Sequence, residues 1–368
     1  MPDAGGACNA GVSGAERFFA PDYTTARERF RAAARRIGAG LHALPLAAVG
    51  PIGETLTIDI AWLGPADARA ALLHTSGLHG VEAFAGSAVQ HALLNDPPAI
   101  APGCALVLVH VLNPWGMAWL RRTNENNVDL NRNFLRRGES WSGAPAAYRK
   151  IDATLNPASP PARDFFLVRA QALALRHGFH VLKQAVAEGQ YEFPRGLFYG
   201  GTELQEAPHR YLEWLRRHLR HARYLFAVDV HTGLGRWADE LLFSEPGPGA
   251  SGTESLEREL GRRLAAVPRT GYHIRGGMGA RLPQELPRAA LDFILQELGT
   301  HPMLTVLHAL REENRWHHHG AGNLDHPARQ RLLEVLCPSD PMWRRKVVAR
   351  GVALARAAAT WAGRRALK

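Results

Sequence analysis

The sequence predicts an α/β protein in three layers, helices on either side of a mixed, largely parallel central sheet. Two observations predict it. Short apolar runs of strand type alternate with longer segments of helical period along most of the chain, the order that builds parallel sheets. The runs at Ala70–Ser76 and 105–112 are apolar almost throughout rather than alternating, as strands covered on both faces must be.

Taken in order, residues 1–20 are expected to be disordered, since residues 1–14 are mostly small or polar, leaving 21–368 as a single domain. A helix over 22–44 opens at Asp22 or Thr24, with apolar or small positions every three to four residues. The run 56–63 alternates like a half-buried strand, Ala70–Ser76 and 105–112 follow as buried strands, and 83–94 between them reads as a helix. Gly, Pro, Ala and Ser crowd residues 135–163, which argues for a loop-rich surface excursion. Helices are expected at 164–187 and 208–222, a buried strand at 224–230 running up to His231, and shorter strands at 241–244 and 291–296. Helices at 302–316, 327–337 and 341–362 close the chain, and no internal repeat is found.

With 368 residues, 46% of them hydrophobic, the chain has ample material for a large core. The formal charge is +10, but Arg and Lys are scattered along amphipathic stretches such as 211–223 and 343–368. No compact basic cluster with stacking aromatics supports nucleic-acid binding. The positive field would instead draw in anionic substrates. Cys8, Cys104 and Cys337 are widely spaced and odd in number, which excludes a Cys-based metal site and fits a reducing compartment. No basic-then-apolar secretory start is visible, and no apolar run approaches ~18 residues. The expectation is a cytoplasmic protein without a membrane span.

The segment with most chemical content is Ser76-Gly77-Leu78-His79-Gly80-Val81-Glu82, where an imidazole and a carboxylate stand three residues apart directly after a strand-like run. On a helical turn, or across a strand-to-helix turn, both can point at one metal ion. In a chain with 18 His the pair alone is a common chance pattern. Further segments add to it: Asn113-Pro114-Trp115-Gly116, Arg121-Arg122, Asp129-Leu130-Asn131-Arg132, Asp229-Val230-His231-Thr232 and Gln296-Glu297-Leu298. His79, Asn113, His231 and Glu297 each fall at or just past the end of a strand-like run, where sites form in open α/β sheets.

In this order the segments closely resemble the zinc carboxypeptidase family, with its H-x-x-E, N-P-x-G, Arg, N-R, distant His and late Glu, and its succinylglutamate desuccinylase and aspartoacylase branch. The resemblance runs from about residue 55 to about 320, and the Gly-Gln-Tyr and Gly-Leu-Phe-Tyr-Gly-Gly segments within 189–201 are similar to a bacterial branch. It implies a zinc carboxypeptidase-like fold, a catalytic domain over 21–368, and one zinc ion held by His79, Glu82 and His231. Asp129 and Asp229 would be the carboxylates that receive the second N–H of the ligand imidazoles. Asp229 and His231, two apart, share one face if they lie on a strand. Glu297 corresponds to the general base, and Arg121 or Arg122 to the cation that stabilises the oxyanion; spacing favours Arg121. Asn131 and Arg132 resemble the pair that grips a substrate carboxylate. Tyr272, with Tyr199 as competitor, is the candidate for a tyrosine on a mobile loop over the substrate.

The implied activity is hydrolysis of an amide next to a free carboxylate, in a peptide C-terminus or in an N-acyl amino acid. A non-catalytic binding protein would have lost a ligand or the base, and none is lost. His317-His318-His319 is not a metal cluster on this reading, because consecutive helical residues point about 100° apart. His74, inside an apolar run, reads as a core or supporting histidine.

Overall fold

A computed structural model describes residues 14–245, 247–265 and 273–366. Seven strands form one sheet: β1 (Gly40–Val49), β2 (Thr55–Leu63), β3 (Ala70–Ser76), β4 (Cys104–His110), β5 (Tyr224–Gly233), β6 (Glu240–Ser244) and β7 (Ala290–Gly299), in the order β1-β2-β4-β3-β5-β7-β6. The four inner strands β4, β3, β5 and β7 are parallel, while β1, β2 and β6 run antiparallel to their neighbours at the two sides.

Period-two alternation divides the buried side chains between two layers. On β3, Ala70 and Leu72 enter the core shared with helices Tyr23–Arg36, Ala83–Asn95 and Pro341–Ala366, through Phe30, Val89, Trp343 and Leu354. Ala71 and Leu73 face the opposite core, built with helices Glu206–His218 and Met278–Glu285 through Tyr211, Leu212 and Leu282. This is the expected three-layer sandwich.

Several elements depart from expectation. The helix at 22–44 stops at Arg36 because Gly38 takes a positive φ of 71°, and Gly40–Val49 becomes strand β1 on the sheet's edge. The helix at 164–187 breaks into Phe166–His177 and Phe179–Glu188 at Gly178, whose φ is 86°. The loop-rich stretch 135–163 contains a helix, Ala146–Leu155, whose Tyr148, Ile151 and Leu155 are buried. Helices Thr253–Leu260 and Met278–Glu285 had no strong sequence signal. The expected disorder through residue 20 does not hold for Glu16–Phe18, a 3-10 turn, or for the buried Phe19. Among the described residues, no helix is long and apolar enough to cross a membrane.

Candidate metal centre

Strand β3 ends at Ser76, and the chain turns through His79 into a short 3-10 turn, Gly80–Glu82, that opens helix Ala83–Asn95. This turn is seated on the loop after β4. Asn113 caps the helix Pro114–Ala118, its Oδ1 accepting from Gly116 N–H at 2.8 Å, with Pro at the first helical position. Gly80 N–H donates to Arg122 O at 3.1 Å and Val81 N–H to Arg121 O at 2.9 Å. A Cβ on Gly80 would lie 2.0 Å from the Gly116 backbone, so the approach requires glycine.

His79, Glu82 and His231 converge here, 3%, 2% and 1% exposed. His79 Nδ1 is 3.0 Å from Glu82 Oε1, His231 Nδ1 is 3.2 Å from Glu82 Oε2, and the two Nδ1 atoms are 3.1 Å apart. Ligand atoms bound at about 2.0–2.1 Å to one tetrahedral ion would stand about 3.3 Å from each other, which is close to this spacing. The donor chemistry fits as well. His79 Nε2 meets Asp129 Oδ1 at 3.0 Å and His231 Nε2 meets Asp229 Oδ2 at 2.7 Å. An ionised carboxylate only accepts, so both Nε2 atoms carry hydrogen, and in the neutral rings both Nδ1 lone pairs face each other and Glu82. Such a buried set of acceptors repels itself unless a cation lies between them. The three residues are the one group among the described residues that could hold a metal ion.

The surrounding charges agree. Burial would raise the Glu82 carboxyl, but His79, His231 and Arg122 hold it well below the usual carboxylate range. Burial likewise opposes the Asp129 charge, and Arg122, His79 and Arg132 override it. For His231, burial disfavours the protonated ring, yet Asp229 and Glu82 override it and hold its proton affinity well above that of ordinary imidazole. Asp229 is fixed by Thr75 Oγ1–H at 2.7 Å. Thr232 N–H donates to Glu82 Oε2 at 3.1 Å.

Glu297 sits on β7 as the register partner of His231 on β5. Burial pushes its carboxyl up to about 7, with Glu82 adding to the rise and His231 and His79 opposing it. Leu234 N–H approaches its Oε2 at 3.4 Å. His79, Arg122, Asn131, Arg132, Thr232 and Glu297 line one end of a cavity of about 330 Å³.

The two arginines go different ways. Arg122 Nη1 donates to Glu82 Oε1 at 2.8 Å and its Nε to Asp129 Oδ2 at 3.1 Å, on the cavity wall. Arg121, the one that spacing favours, is 1% exposed and turned away: its Nε pairs with Glu313 Oε1 at 2.9 Å, and its Nη2 donates to Asn127 and Asn314. Both stand in the irregular segment that follows Leu120, whose φ is 53°.

Arg132 donates to Asn131 O at 3.1 Å and Ala187 O at 2.6 Å, while its buried Nε–H has no partner in the protein. Tyr272 lies outside the described residues. Tyr199 is buried in a core cluster off the cavity wall, and its carbonyl accepts Asp129 N–H at 2.7 Å. Its neighbour Phe198 lines the cavity instead, with the Arg122 and Arg132 guanidinium carbons 5.3 and 5.6 Å from its ring centre. Phe198, Thr75 and Thr232 were missed from sequence; the parallel register that pairs Thr75 with Asp229 is the signal that could have found the first threonine. Tyr191, of the Gly-Gln-Tyr segment, donates through its hydroxyl to Arg132 O at 2.7 Å. His74 is a core residue beside Gln90, its burial lowering it to about 4, and His317, His318 and His319 end the helix Met303–His319.

Fold and centre together define a three-layer α/β protein with a buried His–Glu–His cluster at the carboxyl ends of its parallel strands. The chain belongs to the DUF2817 family, described as a protein of unknown function, which matches residues 19–350. A comparison with curated proteins finds no match. Among solved structures it is similar to bovine thrombin-activatable fibrinolysis inhibitor bound to tick carboxypeptidase inhibitor, at 12% identity and TM-score 0.46 over 92% of this chain and 99% of that one. It is similar also to carboxypeptidase A from Helicoverpa armigera, at 13% identity and TM-score 0.46 over 90% of this chain and 73% of that one. For the murein-tripeptide amidase MpaA from Escherichia coli O157 the identity is 17% and the TM-score 0.40 over 76% and 92%.

Proposed function

We propose that this protein is a zinc-dependent hydrolase that cleaves an amide bond next to a free carboxylate. The observation that carries the reading is the meeting of two imidazole Nδ1 lone pairs and a carboxylate within 4.8 Å, with Glu297 beside them on the adjoining strand. Zinc, when held by His79, Glu82 and His231, supplies a Lewis acid and lowers the pKa of water toward about 7. Asp129 and Asp229 orient the two imidazoles through their Nε2–H groups. Glu297, as the ionised carboxylate beside His231 on the adjoining strand, takes a proton from the attacking water and returns it to the leaving nitrogen. The water oxygen joins the acyl carbon, the C–N bond breaks, and a carboxylate and an amine leave. We assign the developing oxyanion to Arg122 rather than Arg121, and the substrate carboxylate to Arg132 and Asn131. Tyr272 stays a candidate for covering the substrate.

Metal content of the purified protein and its activity on two substrate sets test this. C-terminally varied peptides that lose their last residue support a carboxypeptidase; N-acyl amino acids that release the acyl acid support an amidohydrolase. Zinc-loaded protein inert on both would refute the reading.

A further inference from the structure

The cavity that begins at Glu297 and Arg122 continues between four helices: Ala146–Leu155, Phe166–His177, Phe179–Glu188 and Met303–His319. Ile151, Leu155, Leu173, Leu182, Leu304 and Leu307 form much of that wall. Ala170 and Ala174, four apart and therefore on one face of their helix, leave the space open. Apart from the residues already assigned to the centre and to carboxylate binding, the polar side chains on the wall are Thr154, Lys183 and His301.

Such a wall suits one kind of occupant. Helices bond their own backbone groups internally, so they offer no row of N–H and C=O partners to an extended peptide. A peptide entering between them would leave its own amides unpaired, which is unfavourable away from water. A hydrocarbon chain has no such groups and gains from leaving water. Phe179 lines the cavity while 47% exposed, and on the helices Phe166–His177 and Phe179–Glu188 the residues Val168, Leu175 and Val181, outside the lining, are 63%, 90% and 55% exposed, an apolar surface beside it. At the other end, the unpartnered Nε–H of the fully buried Arg132 suits a carboxylate.

We propose that the substrate is an N-acyl amino acid with a long aliphatic chain, the chain lying between these four helices and the amino-acid carboxylate at Arg132. This rests on the hydrolase reading above and selects its amidohydrolase form. Water adds to the acyl carbon, the amide C–N bond breaks, the nitrogen gains a proton, and a fatty acid carboxylate and a free amino acid are released.

The test is a series of N-acylglycines from acetyl to palmitoyl, below their micellar concentrations, with zinc-loaded protein and glycine release as readout. kcat/KM should climb by about fourfold per methylene, the equivalent of about 0.8 kcal/mol of burial, and flatten once the cavity is filled. The Ala174→Trp variant, which fills the cavity at a half-exposed position, should cut the ratio of long-chain to short-chain kcat/KM at least tenfold. A flat or falling profile with Glu297-dependent hydrolysis of the acetyl compound would overturn this inference and leave the hydrolase reading standing. Should no amide of any length be cleaved, the hydrolase reading falls. Binding of dodecanoate, measured by calorimetry on wild type and Ala174→Trp, then decides the cavity's occupant. Binding weakened by the variant supports an aliphatic chain, and no binding to wild type overturns it.

Discussion

Arg121 and Arg122 are adjacent in sequence and opposite in surroundings, so replacing each with methionine separates a structural role from a chemical one. Arg121 and Glu313 are 1% and 3% exposed and paired at 2.9 Å. Removing the guanidinium strands a buried carboxylate, a loss of about 3–5 kcal/mol when one partner of a buried pair is deleted. Arg329 Nε remains 3.7 Å from the same Glu313 oxygen, which places the cost near the low end, about 3 kcal/mol. An unfolding entropy of about 2.1 cal/mol/K per residue over 368 residues turns that into a fall in Tm of about 4 °C. Arg121→Met should therefore show the Tm loss, read by calorimetry, with kcat/KM per folded molecule within a few-fold of wild type. Arg122→Met removes a cation from the cavity wall beside Glu82 and Asp129. It should lower kcat by about 10²–10³-fold, the usual effect of deleting one oxyanion donor, with a smaller Tm change because Thr232 N–H still donates to Glu82, and His79 Nε2–H and Asn131 N–H to Asp129. If Arg121→Met lost turnover at unchanged Tm, or Arg122→Met kept full turnover, the division of roles would be wrong.

Replacing Glu297 with Gln should reduce kcat by at least about 10²-fold while elemental analysis finds the metal still bound. For the wild type, kcat/KM should rise with pH as Glu297 ionises. The metal cation draws this group down from about 7, so the acid limb should fall between the ordinary 4.5 and about 7. In metal-free protein the folded pKa of Glu297 is raised, so its contribution to stability is complete below about 4.5 and is lost as pH climbs through about 7. Metal-free Glu297→Gln should accordingly melt higher than metal-free wild type at pH 8 and at the same temperature at pH 4. His231→Gln should abolish stoichiometric zinc, and Asp129→Asn should weaken zinc affinity by about 10–100-fold, both measured by competition with a chromophoric chelator.

Much of the fold was legible because buried parallel strands declare themselves as continuous apolar runs: β3 spans the expected Ala70–Ser76, and β5 and β7 were foreseen to within a few residues at their ends. What escaped was set by single glycines and by tertiary partners. Gly38 ends the first helix early, and the strand that follows, β1, owes its state to pairing with β2, which no local periodicity encodes. Ala146–Leu155 is a helix because Tyr148, Ile151 and Leu155 find a core among the helices over the cavity, although its flanks read as loop.

The site shows the same division at finer scale. That His79, Glu82 and His231 stand at strand ends follows from spacing plus the rule that α/β sites form there, so residues 149 positions apart could be nominated together. Which of two adjacent arginines faces them could not be read this way. Spacing fixes where a Cα is to within a residue, whereas side-chain direction depends on the partners each group finds, here Glu313, Asn127 and Asn314 for Arg121 and Glu82 and Asp129 for Arg122. The Gly-Leu-Phe-Tyr-Gly-Gly segment makes the same point. Its tyrosine was the visible candidate for a substrate contact, yet Tyr199 belongs to a core cluster and Phe198 faces the cavity beside Arg122 and Arg132. Asp129 and Asp229 were legible beside their motifs, so what sequence conceals is the supporting group that carries no motif of its own. The ligands must be particular residue types, but Thr75, Thr232 and Phe198 act by direction, and direction is decided by the packing of the whole sheet.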